Sequence, residues 1–346
     1  MGERKKHAGV HEKWGHPVRE ATVKPRMTVN ELVESFAGSA YNARKLGRAV
    51  DIWTEAVENG ARIYLTLAGA MTPAGLRKLL GQLVSEGLVH AVISTGANLA
   101  HDAQSGAQPG SLIQGSEFAD DAVLRDQKVF RIFDVFVRDD MWDKYTTEVQ
   151  SRIIPAITRA RAGSASVVAP SDIFQALGED LANRGDDGLL ASCAKAGVRV
   201  FCPAIMDSDW GIRIHHANRE HAHEGYRLVP DQAKDLELLV EDMAKHPKRA
   251  VVVVGGGSPK NFTLQSSLMV EDGGFQAAIQ FTSDAPHWGG LSGATLSEAI
   301  SWGKIVPEDA KLETVYSDAT ITFPLAAAAV LDRVHSKPLK GQRGAH

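Results

Sequence analysis

The sequence predicts an α/β protein built on a doubly wound, mostly parallel sheet. Two observations carry this expectation. Short apolar runs of four to eight residues recur along the chain, each ending in small or polar residues, and helix-length segments lie between most of them. Continuous apolar strands alternating with helices belong to a parallel sheet covered on both faces, because a solvated face would demand a polar residue at every second position. The bulk composition agrees: of 346 residues, 44% are apolar and 23% charged, which is ample material for a core.

Taken in order, residues 1–27 mix Lys, Arg and His with Gly and Pro without periodicity and predict a mobile arm. Residues 28–335 are expected to form one catalytic α/β domain, with 336–346 as a tail. The body opens at "MTVNELVESF", where Thr28 or Asn30 would cap a helix that places Leu32, Val33 and Phe36 on one face. A second helix runs through "ARKLGRAVDIWTEAVEN". The strand candidates follow as "RIYLTLAG", "HAVISTGA", "RIFDVFV", "SVVAPS", "VRVFCPAI", "RAVVVVGGG" and "AAIQFTSD", with helices such as "TPAGLRKLLGQLVSEGL" and "DDGLLASCAKAG" between them.

Charge and targeting signals narrow the function classes. A net charge of −4 from interspersed acids and bases gives no field for nucleic acid or an anionic membrane. No apolar run approaches a membrane span and the start lacks a signal-peptide core, so the expectation is a soluble cytoplasmic protein. Two cysteines, Cys193 and Cys202, are too few for a disulfide framework. The histidines of "IHHANREHAHEG" lack a recognised ligand spacing and read as a solvated loop, so no metal is expected.

In doubly wound sheets ligands bind beyond the carboxyl ends of the strands. The segments there are "AGAMTPAG", "STGANLAHD", "MDSDWG", "GGGSPKN" and "TSDAPHWGGLSG", rich in the small and polar types that let backbone approach a polar ligand. "VVVVGGGSPKN" reads as a strand entering a phosphate-binding turn or a plain tight turn. "STGANLAHD" reads as a cofactor loop or as a capped helix start with Asp102 in the first turn. Lys304 in "LSEAISWGKI" suits a helix C-terminus just before Pro307, or a nucleophile.

Together "SEAISWGKI", the preceding "GGLSGAT" and the following "VYSDATITFPL" resemble the C-terminal signature of the deoxyhypusine synthase family. "FAGSAYNARKLGRAV", "STGANLAHD", "FCPAIMDS" and the triple glycine fall in that family's order, from about residue 28 to about 335. The resemblance implies a Rossmann-like fold, tightly bound NAD and a homotetramer with interface active sites. It makes Lys304 the lysine that becomes covalently linked to substrate, and puts Trp302 and Glu298 in the polyamine pocket. Thr95, Asp207, Gly255, Gly256, Gly257, Thr282, Gly289, Ser292 and Asp318 match positions around NAD.

Departures bear on the substrate. Asn261 stands where family members that modify a protein carry a histidine. Ile212 and Leu291 align with aspartates that grip spermidine, with Asp209 and Asp284 nearby as substitutes. His101 stands where a ribose-binding glutamate is expected. These features imply an NAD-dependent aminoalkyl transferase acting on a polyamine or diamine with a small-amine acceptor. The alternatives are a deoxyhypusine synthase acting on a lysine of initiation factor 5A, or an amine oxidoreductase without transfer.

Overall fold

A computed structural model describes residues 15–159, 166–225, 227–306 and 309–336. Six parallel strands form the central sheet: β1 (Arg62–Leu67), β2 (Ala91–Ser94), β7 (Arg199–Phe201), β9 (Arg249–Val254), β10 (Ala277–Thr282) and β11 (Lys311–Tyr316). Their spatial order is β11-β10-β9-β1-β2-β7. Ranked along the chain this is the doubly wound order in which the winding direction reverses between the first and fourth strands, here β1 and β9. Arg62 to Leu67 pair in parallel with Arg249 to Val254 across that reversal.

Alternate side chains of these strands enter two cores, which is why the runs are apolar throughout. Ile63, Leu65, Leu67, Val252, Val254, Ile279 and Phe281 pack with Val50 and Trp53 of the helix Tyr41–Glu58 and Phe323 of the helix Ala319–Ser336. Tyr64, Val251, Val253 and Ala278 face the other way, against Leu239 and Met243 of the helix Gln232–Lys245 and Leu264 of the helix Gly257–Ser266.

Several elements depart from the sequence expectation. "RIFDVFV" is not a central strand but the hairpin of β4 (Val129–Ile132) and β5 (Val135–Arg138), turning at Phe133 with φ 55°. It pairs with β3 (Leu112–Gln114) in a separate antiparallel sheet whose strands are largely half-exposed. "SVVAPS" supplies β6 (Ser166–Val168), which pairs only with β8 (Leu228–Pro230). The sixth central strand is β11, "KLETVY", an edge strand. Its alternating burial disguises it among polar residues.

Thr28, not Asn30, caps the first helix, Val29–Ala37. Its hydroxyl accepts from Glu31 N at 3.1 Å while Glu31 Oε2 accepts from Thr28 N at 2.7 Å. Residues 15–24 form neither helix nor strand, and Arg19 N donates to Gly38 O at 2.8 Å. The remainder of the expected arm, residues 1–14, and most of the tail, 337–346, lie outside the described residues, as does Pro307. Among the described residues no helix is long and apolar enough to cross a membrane.

Candidate active site

The carboxyl ends of the six strands bring most of the candidate residues to one edge. At the crevice between β1 and β9 the chain leaves β9 through Gly255, Gly256 and Gly257, then starts the helix Gly257–Ser266 with Gly256 as N-cap. Gly255 and Gly257 adopt φ of 75° and 59°, which a side chain disfavours. Space is equally restrictive: a Cβ on Gly255 would lie 2.9 Å from Ala68 O, and one on Gly256 would lie 2.4 Å from Ser292 Cα. The positive end of the helix dipole therefore meets the crevice at a turn packed closely against Ser292, and the field there suits an anionic ligand.

Neighbouring strand ends contribute the rest. Thr95 is the N-cap residue of the helix Gly96–Ala107 after β2, and Asn98 Nδ2 donates to its hydroxyl at 3.2 Å. The segment after β7, bearing exposed Asp207, packs onto that helix start: Trp210 Nε1 donates to Gly96 O at 3.1 Å. Thr282 ends β10 buried, its hydroxyl accepting from Asp284 N at 3.1 Å. Asp318, after β11, accepts from Thr320 N and Oγ1, both at 2.8 Å. Asp318 and Thr320 also line a cavity of about 1150 Å³ with residues 70–75 of the β1 loop. Of the candidate residues only Asp318 touches that cavity.

The loop after β10 carries the second half of the site. Gly289 has φ 74°, and Ser292 Oγ accepts from Gly257 N at 3.1 Å, bolting the loop to the glycine turn. Thr295 Oγ1 then accepts from Glu298 N at 3.1 Å at the start of the single-turn helix Glu298–Ser301. Trp302 ends this turn and Gly303, at φ 73°, reverses the chain. Lys304 follows: its carbonyl accepts from Phe275 N at 3.1 Å, and its Nζ lies 5.7 Å from the Trp302 ring centroid. The backbone is thus tied down while the ammonium stays over an aromatic face. Lys304 is half-buried and Trp302 is 65% exposed, so Trp302 alone does not close the site to water.

Asn261 and Leu291 line a smaller cavity of about 250 Å³ with Pro203, Leu236, Phe262 and Met269. None of its lining side chains is charged. Asp209 is engaged elsewhere: Arg213 donates to its Oδ1 at 3.2 Å, while burial raises its pKa above the usual range. Asp284 accepts from Ala285 N at 3.0 Å, and Ile212 is half-exposed. His101 packs 5.2 Å from Trp142, and burial holds its pKa down.

One residue acquires a different role from that expected, and another enters this edge without any expectation from the sequence. Asp102 does not sit in the first turn of its helix. It lies further along, fully buried, and accepts from Leu189 N at 3.0 Å and Leu190 N at 2.8 Å at the start of the helix Leu189–Ala196. Lys260, unmarked by any sequence pattern, is the deeply buried lysine of this edge. Among the described residues no three His, Cys, Asp or Glu side chains converge as a metal site.

The chain matches the family model described as deoxyhypusine synthase over residues 31–330. It is 38% identical to "Probable deoxyhypusine synthase 1" of Archaeoglobus fulgidus over 305 residues, covering 88% of this chain and 94% of the relative. It is 32% identical to "Deoxyhypusine synthase-like protein" of Nostoc punctiforme over 339 residues, covering 94% and 85%. Its fold is similar to that of "a putative deoxyhypusine synthase" from Entamoeba histolytica, with a TM-score of 0.62 at 19% identity and coverage of 89% and 94%.

Proposed function

Because the chain belongs to the deoxyhypusine synthase family, we propose that it is an NAD-dependent aminobutyl transferase that works through an imine on Lys304 and delivers the group to a small amine. The observation that carries this reading is the placement of Lys304. It stands beside Trp302, on the segment that follows a loop bonded directly to the glycine turn.

The residues fit a dinucleotide. The dipole of the helix behind the glycine turn suits a pyrophosphate, and Thr95, Asp207, Thr282, Gly289, Ser292 and Asp318, at or beyond the neighbouring strand ends, would line the dinucleotide. Bound NAD would supply a reversible hydride acceptor, so the cycle involves no net oxidation. With the carbon beside the secondary amine of spermidine oxidised to an imine, Lys304 Nζ, once it has given up its proton, would attack that imine carbon. The bond to 1,3-diaminopropane breaks, and the aminobutyl group remains as an imine on Lys304. An acceptor amine would displace Lys304 from that imine, and reduction of the new imine would give the secondary-amine product. Glu298 would hold a substrate ammonium by a charge-assisted hydrogen bond, and Trp302 would offer its π face. Asn261 would orient an amine without carrying its proton.

The neutral cavity at Asn261 and Leu291 supports a small-amine acceptor or a donor with an uncharged end, because an ammonium seated there would lack a counter-charge. A second reading, transfer to a lysine of initiation factor 5A, is favoured by the names of the archaeal relatives. Homotetrameric assembly in the cytoplasm belongs to either reading, with a partner subunit covering exposed Trp302. An oxidoreductase without transfer would instead release NADH.

The test is incubation with NAD and a panel of polyamines, followed by mass spectrometry of the free amines and of borohydride-treated protein. An aminobutyl mass on the peptide containing Lys304, absent from Lys304→Arg, supports the reading. Stoichiometric NADH release without new amines would overturn it.

A further inference from the structure

Lys260 lies on the helix Gly257–Ser266 with 4% of its surface exposed. Its Nζ donates to three neutral oxygens: Gln280 Oε1 at 3.0 Å, Leu291 O at 3.5 Å and Ala294 O. An ammonium buried among neutral acceptors costs more than an apolar side chain of the same volume, so this residue is a poor choice for packing alone.

The identity of the acceptors shows what the ammonium joins. Gln280, in the middle of β10, donates through Nε2 to Gly255 O and to Ser292 O, both at 2.8 Å. Lys260 and Gln280 therefore form a hub that grips the glycine turn on one side and the loop Leu291, Ser292 and Ala294 on the other. The loop in turn contributes Leu291 to the neutral cavity and Thr295 to the cap of Glu298.

We propose that Lys260 is a positioning residue that locks the loop after β10 onto the glycine turn and so holds the cofactor edge and the amine edge of the site in register. This rests on the reading that NAD binds at that turn. The charged groups acting on Lys260 are Glu298 and Asp284, which favour its ammonium, and Lys304, which opposes it. Burial is the largest influence, and the pKa is pushed down to about 8. An ammonium has three donors for its three acceptors, whereas the neutral amine has two, so the hub loosens as pH rises through that range.

Calorimetric titration with NAD at pH 6.5 and pH 9, on wild type, Lys260→Met and Gln280→Leu, tests the proposal. Wild type should bind at least fivefold more tightly at pH 6.5 than at pH 9. Lys260→Met should bind about tenfold more weakly than wild type at pH 6.5 and lose the pH step, with Gln280→Leu weakened in the same direction. Should Lys260→Met fail to fold, Gln280→Leu decides by itself. A folded Lys260→Met with wild-type NAD affinity at both pH values, or a folded Gln280→Leu that binds as wild type, would overturn the hub. Failure of wild type to bind NAD at all would instead sink the cofactor reading on which it rests.

Discussion

Gly256 and Ser292 are in direct backbone contact: a Cβ on Gly256 would lie 2.4 Å from Ser292 Cα and 2.9 Å from its Oγ. The atoms it would meet include main chain and cannot swing aside. Gly256→Ala should therefore force the glycine turn and the loop apart, costing about 1–3 kcal/mol of stability. It should also weaken NAD binding by at least tenfold. Urea denaturation and an NAD titration of the same preparation check both effects.

Asp102 joins three elements that are distant in sequence. Besides capping the helix Leu189–Ala196, it accepts from Arg77 Nε at 3.0 Å, and Arg77 also donates to Asp186 at 2.6 Å. Asp102→Ala would leave two helix N–H groups unpaired and Arg77 short of a partner, for an expected loss of about 3 kcal/mol. Asp102→Asn, which keeps one acceptor oxygen, should lose less. Thermal and chemical unfolding measure both, and the borohydride trapping of Lys304 should persist in Asp102→Asn.

Asp235 gives a pH signature of stability. Burial pushes its pKa up to about 6, although Ser171 N donates to its Oδ1 at 3.1 Å. The folded state therefore holds this proton to higher pH than the unfolded chain does, and stability falls as pH rises from about 4 to about 6. Asp235→Asn keeps the oxygen and removes the titration. Its stability relative to wild type should improve by about 2–3 kcal/mol between pH 4 and pH 7, a change read from denaturation curves at each pH.

Acceptor choice is tested by competition. With NAD and labelled spermidine, free diamines should take up the label at least a hundredfold faster than initiation factor 5A, equivalent to about 3 kcal/mol in transition-state binding. Rapid stoichiometric labelling of the protein acceptor, with the diamines ignored, would favour the second reading and remove the role assigned to the neutral cavity.

Local pattern made part of this protein legible. Apolar runs such as "RAVVVV" revealed strands buried on both faces, because both neighbouring layers leave their mark on a single strand. The spacing of Thr28 and Glu31 carried a helix start, since all of its partners lie within one turn. The segment around Lys304 was recognisable because its chemistry-bearing residues are close together in sequence.

What the sequence determined by itself was the α/β class, five of the six central strands and the loops at their ends. Tertiary structure decided which distant segments meet. It added β11 to the edge of the sheet, moved Ile132 and Val135 into a separate hairpin, and sent Asp102 to cap a helix 87 positions away. It also buried Lys260 among oxygens 20 to 34 positions further on. Periodicity records how each residue faces its own element's surroundings, whereas a hydrogen bond between remote segments leaves no local pattern. Its partners are chosen only when the strands align and the loops pack.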